Sequence, residues 1–137
     1  MAEWIRMSEA TALGLHTMAA VARSAEPEPT VRIAEELNAS ETHLAKVLQQ
    51  LVRAELLTSK RGPSGGYTLA KPASKIRLLD VYETLEGPFR RDGCLFAEPI
   101  CRRVRCVLAD LVKRLRVEAY DHLASTSLAD IIDGVGR

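Results

Sequence analysis

The sequence of 137 residues has no apolar run long enough to cross a bilayer. An acid at Glu3 interrupts the N-terminus, where a secretory signal would carry an unbroken apolar core. The sequence also has no Cys-x-x-Cys pair, no glycine-rich nucleotide-binding loop, and no Ser/His/Asp or paired-carboxylate grouping. These absences predict a cytoplasmic protein that does not span a membrane and is not an enzyme.

The sequence also has little net charge and few cysteines. The net charge is only +1, so composition does not indicate nucleic-acid binding, and any basic surface must be local. The three cysteines are an odd number in a short stretch, which does not indicate a disulfide framework. The chain is long enough for one core, or for a small domain with a dimerisation arm.

The most informative segment runs from Arg61 to Leu69 and reads RGPSGGYTL. Gly65 and Gly66 can take the positive φ angles of a tight turn, and Pro63 excludes a helix. Strand-like runs at 56–59 and 67–69 lie on either side, which predicts a basic hairpin.

Two predicted helices precede this hairpin. One covers residues 30–37 and is capped by Thr30, and its buried side consists of Val31, Ile33, Ala34 and Leu37. A turn at 38–39 separates it from a polar-faced helix over residues 40–54, which is capped by Ser40 and has a core face of Leu44, Val47, Leu48 and Leu51. This order is typical of a winged helix-turn-helix, in which the second helix enters the major groove of DNA and the hairpin, or wing, contacts the backbone or minor groove. Residues 42–61 carry four cations and one acid, a local sum of +3.

The remaining sequence predicts further helices around this unit. The first spans residues 4–23, and Met7, Thr11, Leu15, Met18 and Ala22 form its stripe. Others cover 78–85, 107–126 and a short segment that opens at Ser127 and ends at Asp133. The apolar stripe of the long helix consists of Val107, Leu108, Leu111, Val112, Leu115, Ala119 and Leu123.

The predicted fold class is therefore mostly α, a winged helix-turn-helix with a small β-hairpin wing and a long C-terminal dimerisation helix. We expect a DNA-binding domain over residues 1–88, a cysteine-bearing loop over 89–106, and the dimerisation helix with a short final helix over 107–137.

Three cysteines follow the spacing Cys94-x6-Cys101-x4-Cys106, in a segment where Pro99 argues against a helix. A loop can fold three thiolates around one centre, and such soft ligands suit an iron–sulfur cluster or zinc. We expect nearby arginines to lower the thiol pKa values. These arginines are Arg91, Arg102, Arg103 and Arg105. Small buried apolar residues or a thiol switch are the alternatives, and composition alone does not separate them.

The wing sequence, with Leu79-Asp80-Val81 and Glu86-Gly87-Pro88, resembles the Rrf family of bacterial winged-helix transcription regulators, of the IscR, NsrR and CymR type. The resemblance implies a homodimer that binds double-stranded DNA at a palindromic operator. In cluster-binding members three cysteines hold a 2Fe–2S or 4Fe–4S cluster, and a residue other than cysteine completes the ligand set. It therefore implies that the ligands are Cys94, Cys101, Cys106 and, from the partner subunit, His16, with Glu9 and Asp110 as weaker candidates for the fourth position.

The resemblance also implies the DNA contacts. These are Ser40, Thr42, His43, Ala45, Lys46, Lys60, Arg61 and Gly62. The expected function is transcription regulation in which the cluster controls operator affinity and senses iron, redox or nitric oxide status. The alternatives are a regulator switched by thiol and disulfide chemistry without a metal, a zinc-stabilised DNA-binding module, and a small redox protein.

Overall fold

The computed structural model describes residues 4–96, 100–101 and 105–133. Within these ranges the chain forms six α-helices, one 3-10 turn and one antiparallel hairpin, which confirms the predicted mixture of helices and a small hairpin. In chain order the elements are α1 (Glu9–Arg23), α2 (Thr30–Leu37), α3 (Glu41–Arg53), β1 (Leu57–Lys60), β2 (Gly66–Leu69), the 3-10 turn (Ala73–Lys75), α4 (Leu78–Glu86), α5 (Ala109–Ser125) and α6 (Leu128–Asp133).

The first helix begins later than its sequence pattern predicts. Ser8 caps α1, because its hydroxyl accepts a hydrogen bond of 3.2 Å from the Thr11 amide. The residues before the cap are not helical, and the carbonyl of Arg6 accepts a hydrogen bond from the Tyr82 hydroxyl instead. The predicted start near residue 4 is therefore wrong, and Met7, expected in the buried stripe, is 45% exposed.

The helix-turn-helix agrees closely with its pattern. Asn38 adopts the left-handed conformation that turns the chain between α2 and α3. The predicted core face of α3 is fully buried, and it consists of Leu44, Val47, Leu48 and Leu51. Two predictions for α2 are wrong: Pro29 takes the cap position expected for Thr30, and Val31, expected inside, is 46% exposed.

The wing is fixed by close backbone contacts. Its strands pair antiparallel from Leu57 opposite Leu69 to Lys60 opposite Gly66. A Cβ on Gly66 would lie 2.5 Å from backbone of Glu28, so only glycine fits there. Glu28 and β2 exchange two backbone hydrogen bonds of 3.0 and 2.9 Å through Tyr67. The wing is therefore attached to the residues that lead into α2.

The C-terminal helices close the core. Ser127 and Asp130 form the predicted capping box of α6, with reciprocal hydrogen bonds of 2.8 and 3.2 Å between backbone amides and side chains. Helix α6 packs against α1 and the 3-10 turn, and α4 packs against α1, α3 and α5. The division of the chain at residues 88 and 106 stays a prediction.

Helix α5 buries only part of the apolar stripe that the sequence predicted. Val112 and Leu123 are buried, whereas Leu108, Leu111 and Leu115 are each 36–40% exposed. At 3.6 residues per turn these positions fall within one arc of about 120°, so the stripe is continuous, with one edge packed against the core and the other edge exposed. No helix of the described ranges is long and apolar enough to cross a membrane.

Candidate DNA-binding surface and cysteine cavity

The predicted DNA contacts are accessible at the surface. Thr42 and Lys46 are exposed on α3, and His43 and Ala45 beside them are half-buried. The remaining predicted DNA contacts are exposed at the tip of the wing, and they are Lys60, Arg61 and Gly62. Core residues on the opposite face of α3 anchor the helix, so its polar side is free for a ligand.

Ser40 is a predicted DNA contact and is also the N-terminal cap of α3, as its sequence position predicts. Its hydroxyl oxygen accepts a hydrogen bond of 3.1 Å from the His43 amide and so caps α3. The hydroxyl proton remains available as a donor at the N-terminal end of the helix. This end carries a partial positive charge and unpaired amides, which suit a phosphate.

The three cysteines line one cavity of about 400 Å³ between the loop before α5 and the first turns of α5. Cys94 and Cys106 are half-buried, and Cys101 is exposed. The structure therefore places all three thiols around one cavity. Pro99, Arg102 and Arg103, named in the sequence argument, lie outside the described residues.

Charges near the cavity only partly match the expectation. Loss of hydration raises the pKa of the Cys101 thiol, and the neighbouring thiols of Cys106 and Cys94 add to this effect. The predicted lowering by arginine is therefore wrong for this thiol. The guanidinium of Arg91 lies 4.5 Å from the centre of the Tyr120 ring, and Arg105 is paired with an acid.

Two further cations of α5, Lys113 and Arg116, line the cavity, although neither lies in the cysteine-bearing segment of the sequence. Arg116 is only 8% exposed. A usable signal was present, because Arg116 lies four residues after Val112 and seven before Leu123, on the helix face that packs inward. Asp92 is the acid among the lining residues.

The predicted fourth ligands do not reach the cysteines within one chain. His16 is exposed on α1 and is not among the residues that line the cavity. Its Nδ1 atom lies 2.7 Å from the carbonyl oxygen of Ala12. Because a carbonyl only accepts, Nδ1 carries the proton of the neutral ring and Nε2 is left as the lone-pair donor. Glu9 is exposed in the first turn of α1, and Asp110 binds Arg105 beside the cavity.

Among the residues that the structure describes, no group of three His, Cys, Asp or Glu side chains is placed to hold a metal ion. The chemistry of the donor set nevertheless fits an iron–sulfur cluster, since three soft sulfur donors share one cavity with cations in its wall.

The whole described fold matches one protein family. A family model described as "Rrf2: Iron-dependent Transcriptional regulator" matches residues 7–134. The chain belongs to the Rrf2 family. This confirms the resemblance drawn from the wing sequence, and it makes the chain a DNA-binding transcription regulator, not an enzyme.

Individual Rrf2 proteins support the assignment. The chain is 31% identical over 132 residues to BadM of Rhodopseudomonas palustris, whose name places it among HTH-type transcriptional regulators. The match covers 94% of this chain and 84% of BadM.

Solved structures share the fold. CymR, the global cysteine regulator of B. subtilis, superposes with a TM-score of 0.78 at 28% identity, covering 93% of this chain and 96% of CymR. IscR of T. potens superposes with a TM-score of 0.72 at 23% identity over 95% of this chain and 88% of IscR, which shows a common fold. The predicted winged helix-turn-helix is thereby confirmed.

Proposed function

We propose that this Rrf2-family regulator binds a palindromic operator as a homodimer, and that an iron–sulfur cluster held by Cys94, Cys101 and Cys106 controls its affinity for DNA. The observation that carries the proposal is the shared cavity of the three thiols. Its position beside α5 connects the state of the thiols to the helix that we expect at the dimer interface.

DNA binding would use α3 and the wing together. Thr42, His43, Ala45 and Lys46 would face the major groove, and Lys60, Arg61 and Gly62 would approach the minor groove or the phosphates. Ser40 would add its hydroxyl and the N-terminal end of α3. Six of these residues are exposed, and His43 and Ala45 are half-buried at the surface of α3. The two backbone hydrogen bonds between Glu28 and Tyr67 would hold the wing against the segment that leads into the helix-turn-helix.

Dimerisation would cover the exposed apolar face of α5. Leu108, Leu111 and Leu115 lie at helical spacing i, i+3 and i+7, so they form one stripe on the outside of the chain. Pairing two such stripes would remove apolar surface from water and place two α3 helices on adjacent half-sites about 34 Å apart. Replacing Leu111 with Asp would then shift the sedimentation coefficient from dimer to monomer, whereas replacing exposed Lys75 with Asp would not.

The cluster would take its sulfur ligands from one chain and its fourth ligand from His16 of the partner subunit. A histidine that binds a metal usually donates its other ring N–H to a carbonyl, and His16 already does so toward Ala12. When bound, the cluster would supply a redox- and iron-sensitive centre. The protein would hold it with three thiolates, and the cations Arg91, Lys113 and Arg116 would offset part of the negative charge of the loaded site.

One arrangement favours a second function. Cys101 and Cys106 line the same cavity, and loss of hydration together with the neighbouring Cys106 raises the pKa of the Cys101 thiol, so an oxidant could join the two thiols in a disulfide without a metal. In that case a thiol–disulfide switch, and not a cluster, would control DNA binding.

The deciding experiment is anaerobic purification followed by visible absorption, iron and acid-labile sulfide analysis, and zinc analysis. A cluster predicts colour, matched iron and sulfide, and loss of both in each Cys→Ser variant. Ile100→Ala, which alters the same exposed loop without removing a thiol, is the control and should keep the colour. The affinities of loaded and cluster-free protein for DNA from the promoter of its own gene are then compared, to test whether the cluster controls DNA binding.

Other outcomes count against the cluster. A colourless protein that cannot be reconstituted, but whose DNA affinity changes on oxidation and returns with a thiol reductant, would replace it with the disulfide switch. One zinc per chain without colour would replace it with a zinc-stabilised module.

A further inference from the structure

Arg116, on the inward side of α5, hydrogen-bonds to backbone carbonyls from two separate parts of the chain. Its Nε donates to the carbonyl of Trp4 at 2.9 Å, and its Nη1 donates to the carbonyls of Asp92 and Gly93 at 2.9 and 2.8 Å. Its Nη2 lies 3.5 Å from the carbonyl of Cys94. One guanidinium thus holds three consecutive peptide units that end at the first cysteine.

The same guanidinium forms part of two cavity walls. It lines the cysteine cavity, and it also lines a neighbouring cavity of about 620 Å³ bounded by Trp4, Tyr82 and Phe89. Cys94 lines both cavities as well. Arg116 therefore stands where the cysteine-bearing loop meets the segment that leads into α1.

Guanidinium stays protonated at every pH at which proteins fold, so Arg116 places a full positive charge beside the thiols. With only 8% of the residue exposed, solvent screens this charge less than it screens a surface arginine. A positive charge stabilises the more negative of two oxidation states at a nearby site.

We propose that Arg116 is the positioning residue of the cluster site: it holds the 92–94 turn so that Cys94 points into the cavity, and it raises the reduction potential there. This inference rests on the proposed cluster for its second part. A one-electron reductant makes the thiolate-ligated site more negative by one charge, and Arg116 favours that product. Loosening the turn would in addition release the carbonyl of Trp4, and with it the segment before α1.

The test compares Arg116→Gln and Arg116→Lys in the full chain, with Arg114→Gln as control. Arg114 lies on the same helix, is exposed, and is not among the lining residues of the cysteine cavity. Dye-mediated titration of the reconstituted protein under argon should give a more negative midpoint potential for Arg116→Gln. Arg116→Lys keeps the charge but not the fork of donors, so its potential should lie nearer to that of the wild type.

A second measurement does not need the cluster. In reduced, cluster-free protein, alkylation of Cys94 followed by peptide mass spectrometry should be several-fold faster in both Arg116 variants, while alkylation of exposed Cys101 is the internal reference. A colourless wild type would refute the cluster and leave this measurement to decide the positioning role.

Unchanged Cys94 alkylation in both variants would overturn the positioning role. An unchanged potential in a loaded Arg116→Gln protein would overturn the electrostatic role, because a residue that only supports the fold would give that result. If Arg116→Gln does not fold, the alkylation rate of Arg116→Lys decides the positioning, and the potential of Arg116→Met, which also removes the charge, decides the electrostatic role.

Discussion

Glu86 connects the last turn of α4 to the cap of α1, and replacing it should measure how firmly these helices are joined. Its Oε2 accepts hydrogen bonds from the Ser8 amide at 3.0 Å, from the Ser8 hydroxyl at 2.8 Å, and from the Thr11 hydroxyl. Arg6 approaches Oε1 at 3.4 Å, but its side chain is 79% exposed, so this ion pair adds little. The Glu86 side chain itself is 6% exposed.

Glu86→Gln keeps the shape of the side chain and removes the charge. An amide oxygen turned toward Ser8 can accept the same three hydrogen bonds, but it carries no net charge, and the amide NH2 then faces the donor groups of Arg6. Bonds to a charged acceptor are about twice as strong as neutral ones, at roughly 1.5–3 kcal/mol each. Weakening all three should lower the free energy of unfolding by about 2–3 kcal/mol, or the melting temperature by roughly 7–10 °C for a chain of this length.

The stability difference between the wild type and Glu86→Gln should depend on pH, because the pKa of Glu86 is lowered in the folded protein. Burial opposes ionisation of Glu86, but the hydrogen bonds from Thr11 and Ser8 and the charge of Arg6 outweigh it and lower the pKa. A lowered pKa in the folded state means that the carboxylate stabilises the fold above the ordinary pKa, and that this stabilisation is lost as the pH falls through the lowered pKa. The difference between wild type and Glu86→Gln should therefore be full at pH 7 and shrink toward pH 3.

Urea denaturation at several pH values and one fixed protein concentration measures the difference, since a dimer's stability depends on concentration. Glu35→Gln is the control, because Glu35 is exposed and its carboxylate has no partner within the described part of the chain. A difference that stays the same from pH 7 to pH 3, or one below about 0.5 kcal/mol at pH 7, would refute the assignment of stability to this carboxylate.

Three further predictions follow from single side chains. Arg61→Ala should lower the salt dependence of operator binding by about one unit of slope per subunit, measured by fluorescence anisotropy, while Lys75→Ala should not; equal slopes would argue against a wing contact. His16→Ala should change the visible and EPR spectra of loaded protein, and identical spectra would remove His16 from the ligand set. Thr17 is fully buried, and its hydroxyl has no partner among the described residues, so Thr17→Val should raise the free energy of unfolding by about 1 kcal/mol, whereas Thr11→Val should lower it. Stabilisation by both valines, or by neither, would contradict this reasoning.

The helix-turn-helix and wing could be predicted because local signals decide them. Ser40 supplies a cap that needs no tertiary partner, and Gly66 is the residue type that lets the wing approach Glu28. The start of α1 could not be predicted in the same way. Its apolar spacing extends back to Met7, but contacts with residues more than 70 positions away hold that segment out of the helix.

The cysteine site was predictable only in part. Cys94, Cys101 and Cys106 lie within thirteen positions of one another, so their sequence spacing was enough to predict that they share one site. The carbonyl acceptors of Arg116 lie 22 or more positions away, and nothing in a linear pattern pairs an arginine with distant peptide carbonyls. The sequence pattern predicts that the arginines near the cysteines supply the positive charge of the site. The structure adds two cations of α5, Lys113 and Arg116, to the cavity wall.

Helix α5 explains how a change at the cysteines could reach DNA. Its inward face carries Arg116, which holds the cysteine-bearing loop and the segment before α1. Its outward face carries Leu111 and Leu115, the stripe that we propose at the dimer interface. Because a packed helix moves as one body, a shift that rearranges the inner contacts also changes the outer face. Half-site spacing depends on how two chains meet along that face, so a change of roughly an ångström there would alter operator affinity without altering α3 or the wing.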